Sequence, residues 1–170
     1  MRKVYQKIID PAKGDCLRAA VCSILGISDR RVPNFVTVKR WTESLRRFLG
    51  SKGYTFEFMM LHNPNVHNIY NPTECCHDCG KGESSMLLDA IHEHEGVDGL
   101  FVATVFSPRY FNYETFAEHA VVIDKDFNIV HDPNPAYSDI KTYPLGPLIG
   151  YNGIVRVYLI RKMYKTKGHE

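Results

Sequence analysis

The stretch Gly14-Asp15-Cys16-Leu17-Arg18-Ala19-Ala20-Val21-Cys22-Ser23-Ile24-Leu25-Gly26 organises the chain. Pro11 and Gly14 interrupt regular structure just upstream, so a helix opens at about Cys16. Leu17, Val21, Ile24 and Leu25 recur at helical spacing and Gly26 supplies a stop, which predicts a helix over residues 16–25. A thiol in a first helical turn faces the positive end of the helix dipole, which favours the nucleophilic thiolate. The competing reading is a small core cysteine that happens to fall at a helix start. Cys22 points away from the face of Cys16 and reads as a core thiol.

A nucleophile needs a base, and the C-terminal half offers one. His119-Ala120-Val121-Val122-Ile123-Asp124 reads as a strand, Lys125-Asp126 as a turn and Phe127-Asn128-Ile129-Val130-His131 as the returning strand, ended by Asp132-Pro133-Asn134-Pro135. About a turn centred between residues 125 and 126, positions 119 and 132 face each other, with Cβ atoms about 5 Å apart. That register sets the Asp132 carboxylate beside the His119 imidazole, the orienting contact of a Cys–His–Asp triad. Asn134 is a substitute orienter with poorer register, and Asp124 lies at the wrong end of the strand. The bland alternative is a polar hairpin end.

These pieces resemble the papain-like cysteine hydrolases, nearest to small bacterial and phage proteins related to bacteriocin-leader (double-glycine) peptidases. The resemblance rests on the early Gln6, Gly14-Asp15-Cys16-Leu17-Arg18-Ala19-Ala20, Ser23-Ile24-Leu25-Gly26-Ile27, Val32-Pro33-Asn34-Phe35, Ser107-Pro108-Arg109, His119-Ala120-Val121-Val122 and Val130-His131-Asp132-Pro133. They run through most of the chain in the family's order; residues 60–85 match nothing in it. The resemblance implies Cys16 as nucleophile, His119 as general base, Asp132 as orienter and Gln6 as oxyanion donor.

Length, charge and cysteine count bound the rest. At 170 residues the chain reads as one domain over residues 1–162, followed by a basic tail, 163–170. A formal charge of +2 gives no argument for nucleic acid. Met1-Arg2-Lys3-Val4-Tyr5-Gln6 lacks the apolar core of a signal peptide, and no segment approaches a membrane span. The expectation is a cytoplasmic protein with no membrane partner. Five cysteines leave at least one thiol unpaired.

The remaining segments supply the scaffold. Val4 to Ile9 reads as a short extended piece that carries Gln6 past the helix entrance, where its amide could donate to an oxyanion; an ordinary surface Gln is the alternative. A second helix is expected over residues 38–49, with Trp41, Leu45, Phe48 and Leu49 as its apolar stripe and Arg40, Arg46 and Arg47 as a solvated face. Thr55 to Leu61, Leu100 to Phe106 and Ile154 to Ile160 read as strands. A third helix is expected from Met86 to about Glu95; His92 and His94 sit two apart and share no helix face. Residues 62–83 read as an inserted loop carrying Cys75-Cys76-His77-Asp78-Cys79, where Cys75, Cys76, Cys79 and His77 are candidate ligands of a structural zinc. One Cys-x-x-Cys is half a knuckle, and spare thiols in a loop are the alternative. Arg109 leaves the central strand towards a Tyr- and Phe-rich loop and reads as a substrate-binding residue or a structural hub.

Helices first, then strands carrying His and Asp, give an α+β class, with the Cys helix packed on an antiparallel sheet. The expected activity is a thiol hydrolase cleaving an amide, peptide or isopeptide bond through a thioester, with no cofactor required for catalysis. The alternatives are a transglutaminase-like acyltransferase using the same triad and a non-enzymatic binding module on a papain-like scaffold. The expected partner is a peptide, protein or small acyl substrate.

Overall fold

The computed structural model describes residues 1–60, 91–109, 117–137 and 154–163. Two α-helices, α1 (Cys16–Leu25) and α2 (Trp41–Ser51), precede a sheet of five strands. These are β1 (Tyr54–Met60), β2 (Leu100–Phe106), β3 (Glu118–Asp124), β4 (Ile129–His131) and β5 (Ile154–Lys162). Their spatial order is β1-β5-β2-β3-β4, with every neighbouring pair antiparallel. The class is α+β.

Helix α1 forms because small and branched apolar residues wrap it almost completely. Leu17, Ala19, Ala20, Val21, Cys22, Ser23 and Ile24 are all buried. It ends where Gly26 adopts a φ of 67°, a left-handed conformation that costs glycine little. Gly26 N–H then donates to the Ser23 carbonyl and Ile27 N–H to the Cys22 carbonyl, a Schellman closure. The one polar residue on the buried face, Ser23, gives its hydroxyl proton to the Ala19 carbonyl at 2.9 Å and accepts from Val4 N–H at 2.9 Å.

Helix α2 buries Leu45 and Leu49 and leaves Arg46 and Arg47 exposed, as its stripe predicts. It starts at Trp41 rather than at residue 38, because Phe35–Thr37 closes its own 3-10 turn and Val38 follows in an extended conformation. Trp41 tilts onto Tyr158 at 6.3 Å and Phe48 onto Phe35 at 5.6 Å, fixing α2 to the sheet and to that turn.

Alternation along the strands gives two cores. Val102, Ala120, Val122, Tyr158 and Ile160 pack with α1 and α2. Phe101, Ala103, Val105, Val121, Ile123 and Val157 pack on the other face with Ile91 and Phe127. Strand β2 is buried along nearly its whole length, as a central strand should be.

The piece expected to be extended, residues 4–9, joins no sheet: the N–H groups of Val4, Gln6, Lys7 and Ile8 go to Ser23, the Pro133 carbonyl and Asp15. The first residue of the expected tail, Met163, still donates its N–H to Gly53. Ile91 to Glu93 are helical, in line with the third helix, whose earlier residues lie outside the described ones. So does the inserted loop, 62–83.

Leu45→Ala should cost about 2–5 kcal/mol, the usual range for a fully buried leucine. Arg47→Ala on the wet face should stay within about 0.5 kcal/mol. Urea unfolding of the two variants checks the assignment of faces.

Candidate active site

Cys16 is the first residue of α1 and is partly exposed. Its Sγ lies against β3, where Ala120 N–H donates to it at 3.4 Å. The preceding strand residue is His119, whose side chain is 6 % exposed. His119 Nε2 meets Asp132 Oδ1 at 2.7 Å, and the Cys16 sulfur lies close enough to the imidazole to favour its charged form. With Nε2 committed to the carboxylate, Nδ1 is the ring nitrogen left for the thiol. The three residues named from sequence therefore meet in one place.

The hairpin reaches this result by an unexpected route. The loop has three residues, not two: Asp124 N–H donates to the Asn128 carbonyl at 3.0 Å. Its last residue, Phe127, takes a φ of 62°, the left-handed position of a three-residue hairpin loop. The ring of Phe127 is 5 % exposed in the second core, which offsets an unfavourable backbone. Asp124 Oδ1 accepts from Asp126 N–H and Asn128 N–H, both at 2.9 Å, and closes the loop.

One extra loop residue slides the register by one, which alone would send Asp132 to the face opposite His119. A second irregularity cancels it. Ile123 pairs with Ile129 but Val122 pairs with His131, so Val130 is bulged out, 38 % exposed. The two one-residue shifts restore the parity of Asp132. Continued from Val122 and His131, the register sets Asp132 opposite Val121, two positions nearer the turn than His119, and it reaches the imidazole diagonally.

The acid is locked in turn. Asn134 N–H donates to Asp132 Oδ1 at 2.7 Å, and Asn134 Oδ1 accepts from Ala136 N–H at 3.0 Å. This starts the 3-10 turn Pro135–Tyr137, which brings the Tyr137 ring edge-on to His119 at 5.7 Å and 89°. Asn134, the substitute orienter, is thus the residue that holds Asp132.

Gln6 is brought to the cleft by contacts that composition does not announce. Asp15, 1 % exposed, accepts Lys7 N–H and Ile8 N–H on Oδ1, each at 2.9 Å, and Arg18 on Oδ2. Gly14 permits the fold-back, because a Cβ there would lie 2.5 Å from the Asp10 carbonyl oxygen. On the other side, Gln6 N–H donates to Pro133 O at 2.9 Å and His131 Nε2 pairs with Val4 O at 2.9 Å. The Gln6 side chain faces the cleft with Cys16 and His119, and its buried Oε1 has no partner among the described residues.

That cleft holds about 30 Å³, room for a water or two beside the sulfur. On the other side of Cys16 a hollow of about 440 Å³ opens between Leu17, Val36, Trp41 and Tyr158. Its polar wall is Glu118, which accepts Thr104 Oγ1 at 2.6 Å and pairs with Arg156 at 3.0 Å. Asp15, Tyr137 and Glu118 were not singled out from sequence; their neighbours Cys16, His119 and Asn134 were the available signal. Arg109 is exposed in the turn after β2 and does not line the cleft, which Ser107 and Ala117 do.

Electrostatics separates the two described thiols. Burial, then the Asp29 charge, pushes the Cys22 thiol up to about 12, which makes it inert. Burial disfavours a charged His119, yet the hydrogen bonds to Asp132 and Cys16 outweigh it and raise its pKa to about 9. The imidazole therefore holds its proton at neutral pH. No group of three or more His, Cys, Asp or Glu that could hold a metal ion occurs among the described residues. The zinc candidates Cys75, Cys76, His77 and Cys79 lie outside them. No described helix is long and apolar enough to cross a membrane.

No family model, curated protein or solved structure matches the chain.

Because the folded pKa of His119 lies above the unfolded value, its contribution to stability is complete below about pH 6.5 and is lost as pH rises through about 9. Urea midpoints measured from pH 6 to 10 should fall across that window, and Asp132→Asn should flatten the fall. Asp15→Ala should cost about 3 kcal/mol, since it strands two N–H groups and a guanidinium. The same urea titration at pH 7 reads it.

Proposed function

We propose that this chain is a papain-like thiol hydrolase that cleaves an amide, peptide or isopeptide bond. The observation that carries the reading is the 2.7 Å bond from His119 Nε2 to Asp132, with Cys16 beside the same imidazole. The α+β order, with the cysteine helix laid on the sheet that bears His and Asp, supports it.

The chemistry follows from a proton already on His119. Cys16 Sγ attacks the substrate carbonyl as the sulfur partner of an imidazolium–thiolate pair. Negative charge develops on the carbonyl oxygen. The donors available to it are the Cys16 backbone N–H, one of the helix N–H groups without an intrahelical acceptor, and the Gln6 carboxamide, both from residues that line the cleft. As the carbon–nitrogen bond breaks, His119 Nδ1 gives its proton to the leaving amine, and a thioester remains. Water then attacks the thioester carbon and His119 takes its proton. The carbon–sulfur bond breaks, leaving a carboxylic acid product and the original sulfur. Asp132 keeps its hydrogen bond throughout, so the ring cannot rotate out of line. Tyr137, edge-on to the ring, packs against it from a further side.

The Cys22 thiol supplies an internal control, being on the same helix and buried. Iodoacetamide at pH 7, with the adducts mapped by mass spectrometry, should label Cys16 at least ~10-fold faster than free glutathione and leave Cys22 untouched. His119→Ala should remove the excess rate. Cys16 labelling no faster than glutathione would falsify the proposal. Once a substrate is found, Gln6→Ala should lower kcat by about 10²-fold with little change in KM.

A further inference from the structure

At the end of α1 remote from Cys16, about 15 Å along the helix axis, a third cavity opens. It holds about 480 Å³. Four cations line it from three separate segments: Arg2 from the N-terminus, Arg30 and Arg31 from one 3-10 turn, and Lys52 from the end of α2. Its floor is apolar, made by Ile27, Val32 and Phe48. Among the described residues that line it there is no carboxylate.

The absence is local and has a structural cause. Asp29, the only acid between residues 16 and 42, is turned to Lys7 Nζ at 2.6 Å and is 13 % exposed. The whole chain shows the same segregation. Residues 1–52 carry 12 Lys and Arg against 4 Asp and Glu, a formal +8. Residues 53–170 carry 9 against 15, a formal −6, and the two parts together give the +2 of the full chain. A near-neutral total thus hides a strongly basic, helical first third of the chain. Cations gathered from three segments with no acid among them repel one another, and a bound anion relieves that repulsion. Two neighbouring guanidiniums offer planar donor forks, which suit phosphate oxygens better than ammonium groups do. The apolar floor adds a place for a flat, uncharged body, and the volume is that of a small-molecule site.

We propose that this cavity binds a nucleotide, with the phosphates on Arg30 and Arg31 and the base over Ile27, Val32 and Phe48. The site is separate from the Cys16 cleft and does not depend on its chemistry.

Calorimetry at low ionic strength tests it on the full chain with ATP, tripolyphosphate, adenosine and a hexaglutamate peptide. ATP should bind with a Kd on the order of 100 µM or tighter, and more tightly than either tripolyphosphate or adenosine, because both halves of the cavity are used. Raising salt should weaken it. The double variant Arg30→Ala/Arg31→Ala should weaken it by at least about 10-fold, and Lys52→Ala should weaken it less. Lys125→Ala, at the distant hairpin tip, and Cys16→Ala should bind as wild type. All of the altered cations are exposed, so circular dichroism should show unchanged folds. No heat with ATP, or wild-type affinity in the double variant, overturns the proposal. Tripolyphosphate matching ATP removes the base seat, and hexaglutamate matching ATP assigns the surface to an acidic protein partner; either result overturns it as well.

Discussion

A single buried carboxylate decides where the candidate site stands. Asp15 sits between an N-terminal segment with no ladder of its own and a helix whose first N–H groups lack partners. It spends its acceptors on Lys7, Ile8 and Arg18 and caps none of the helix. The helix mouth is thereby left open towards the cleft, and the segment bearing Gln6 is drawn across it. Pro133 and His131 hold the segment from the other side, so the strand end that carries the acid also fixes the carboxamide. Nucleophile, acid and carboxamide are registered against one another through backbone contacts rather than through loops of independent mobility.

The legible parts of the sequence were those governed by short-range pattern. The helix from Cys16 to Leu25, the central strand from Leu100 to Phe106 and the stripe on α2 follow from spacing alone. The meeting of His119 with Asp132 was also readable, although the symmetric register that suggested it does not exist. Two offsets were invisible: a phenylalanine in a left-handed position, where Gly or Asn would have given a signal, and a bulge at Val130 in an unremarkable apolar run. Each is decided by tertiary packing, the first by burial of the Phe127 ring. The hydrogen bonds of Asp15 were unreadable for a related reason, since they span a fold-back that no periodic pattern marks.

The two described cysteines show how little the residue type says by itself. They lie six positions apart on one helix. Cys22 is sealed among apolar side chains and its thiol is pushed up to about 12, whereas Cys16 sits where the helix meets an imidazole that keeps its proton. Accessibility and a charged neighbour, rather than the sulfur, separate inert packing from candidate chemistry.

The compensating pair in the hairpin also limits which changes of length this chain can absorb. Loops at a strand turn ordinarily tolerate gain or loss of a residue. Here loss of Val130, or a one-residue slip in the pairing of Asp124 with Asn128, would swing the acid to the wrong side of the ribbon. Insertions and deletions between Asn128 and Asp132 are therefore restricted to even increments or to events paired with a slip of register, and this short return strand inherits the constraint of a contact between residues thirteen apart in sequence.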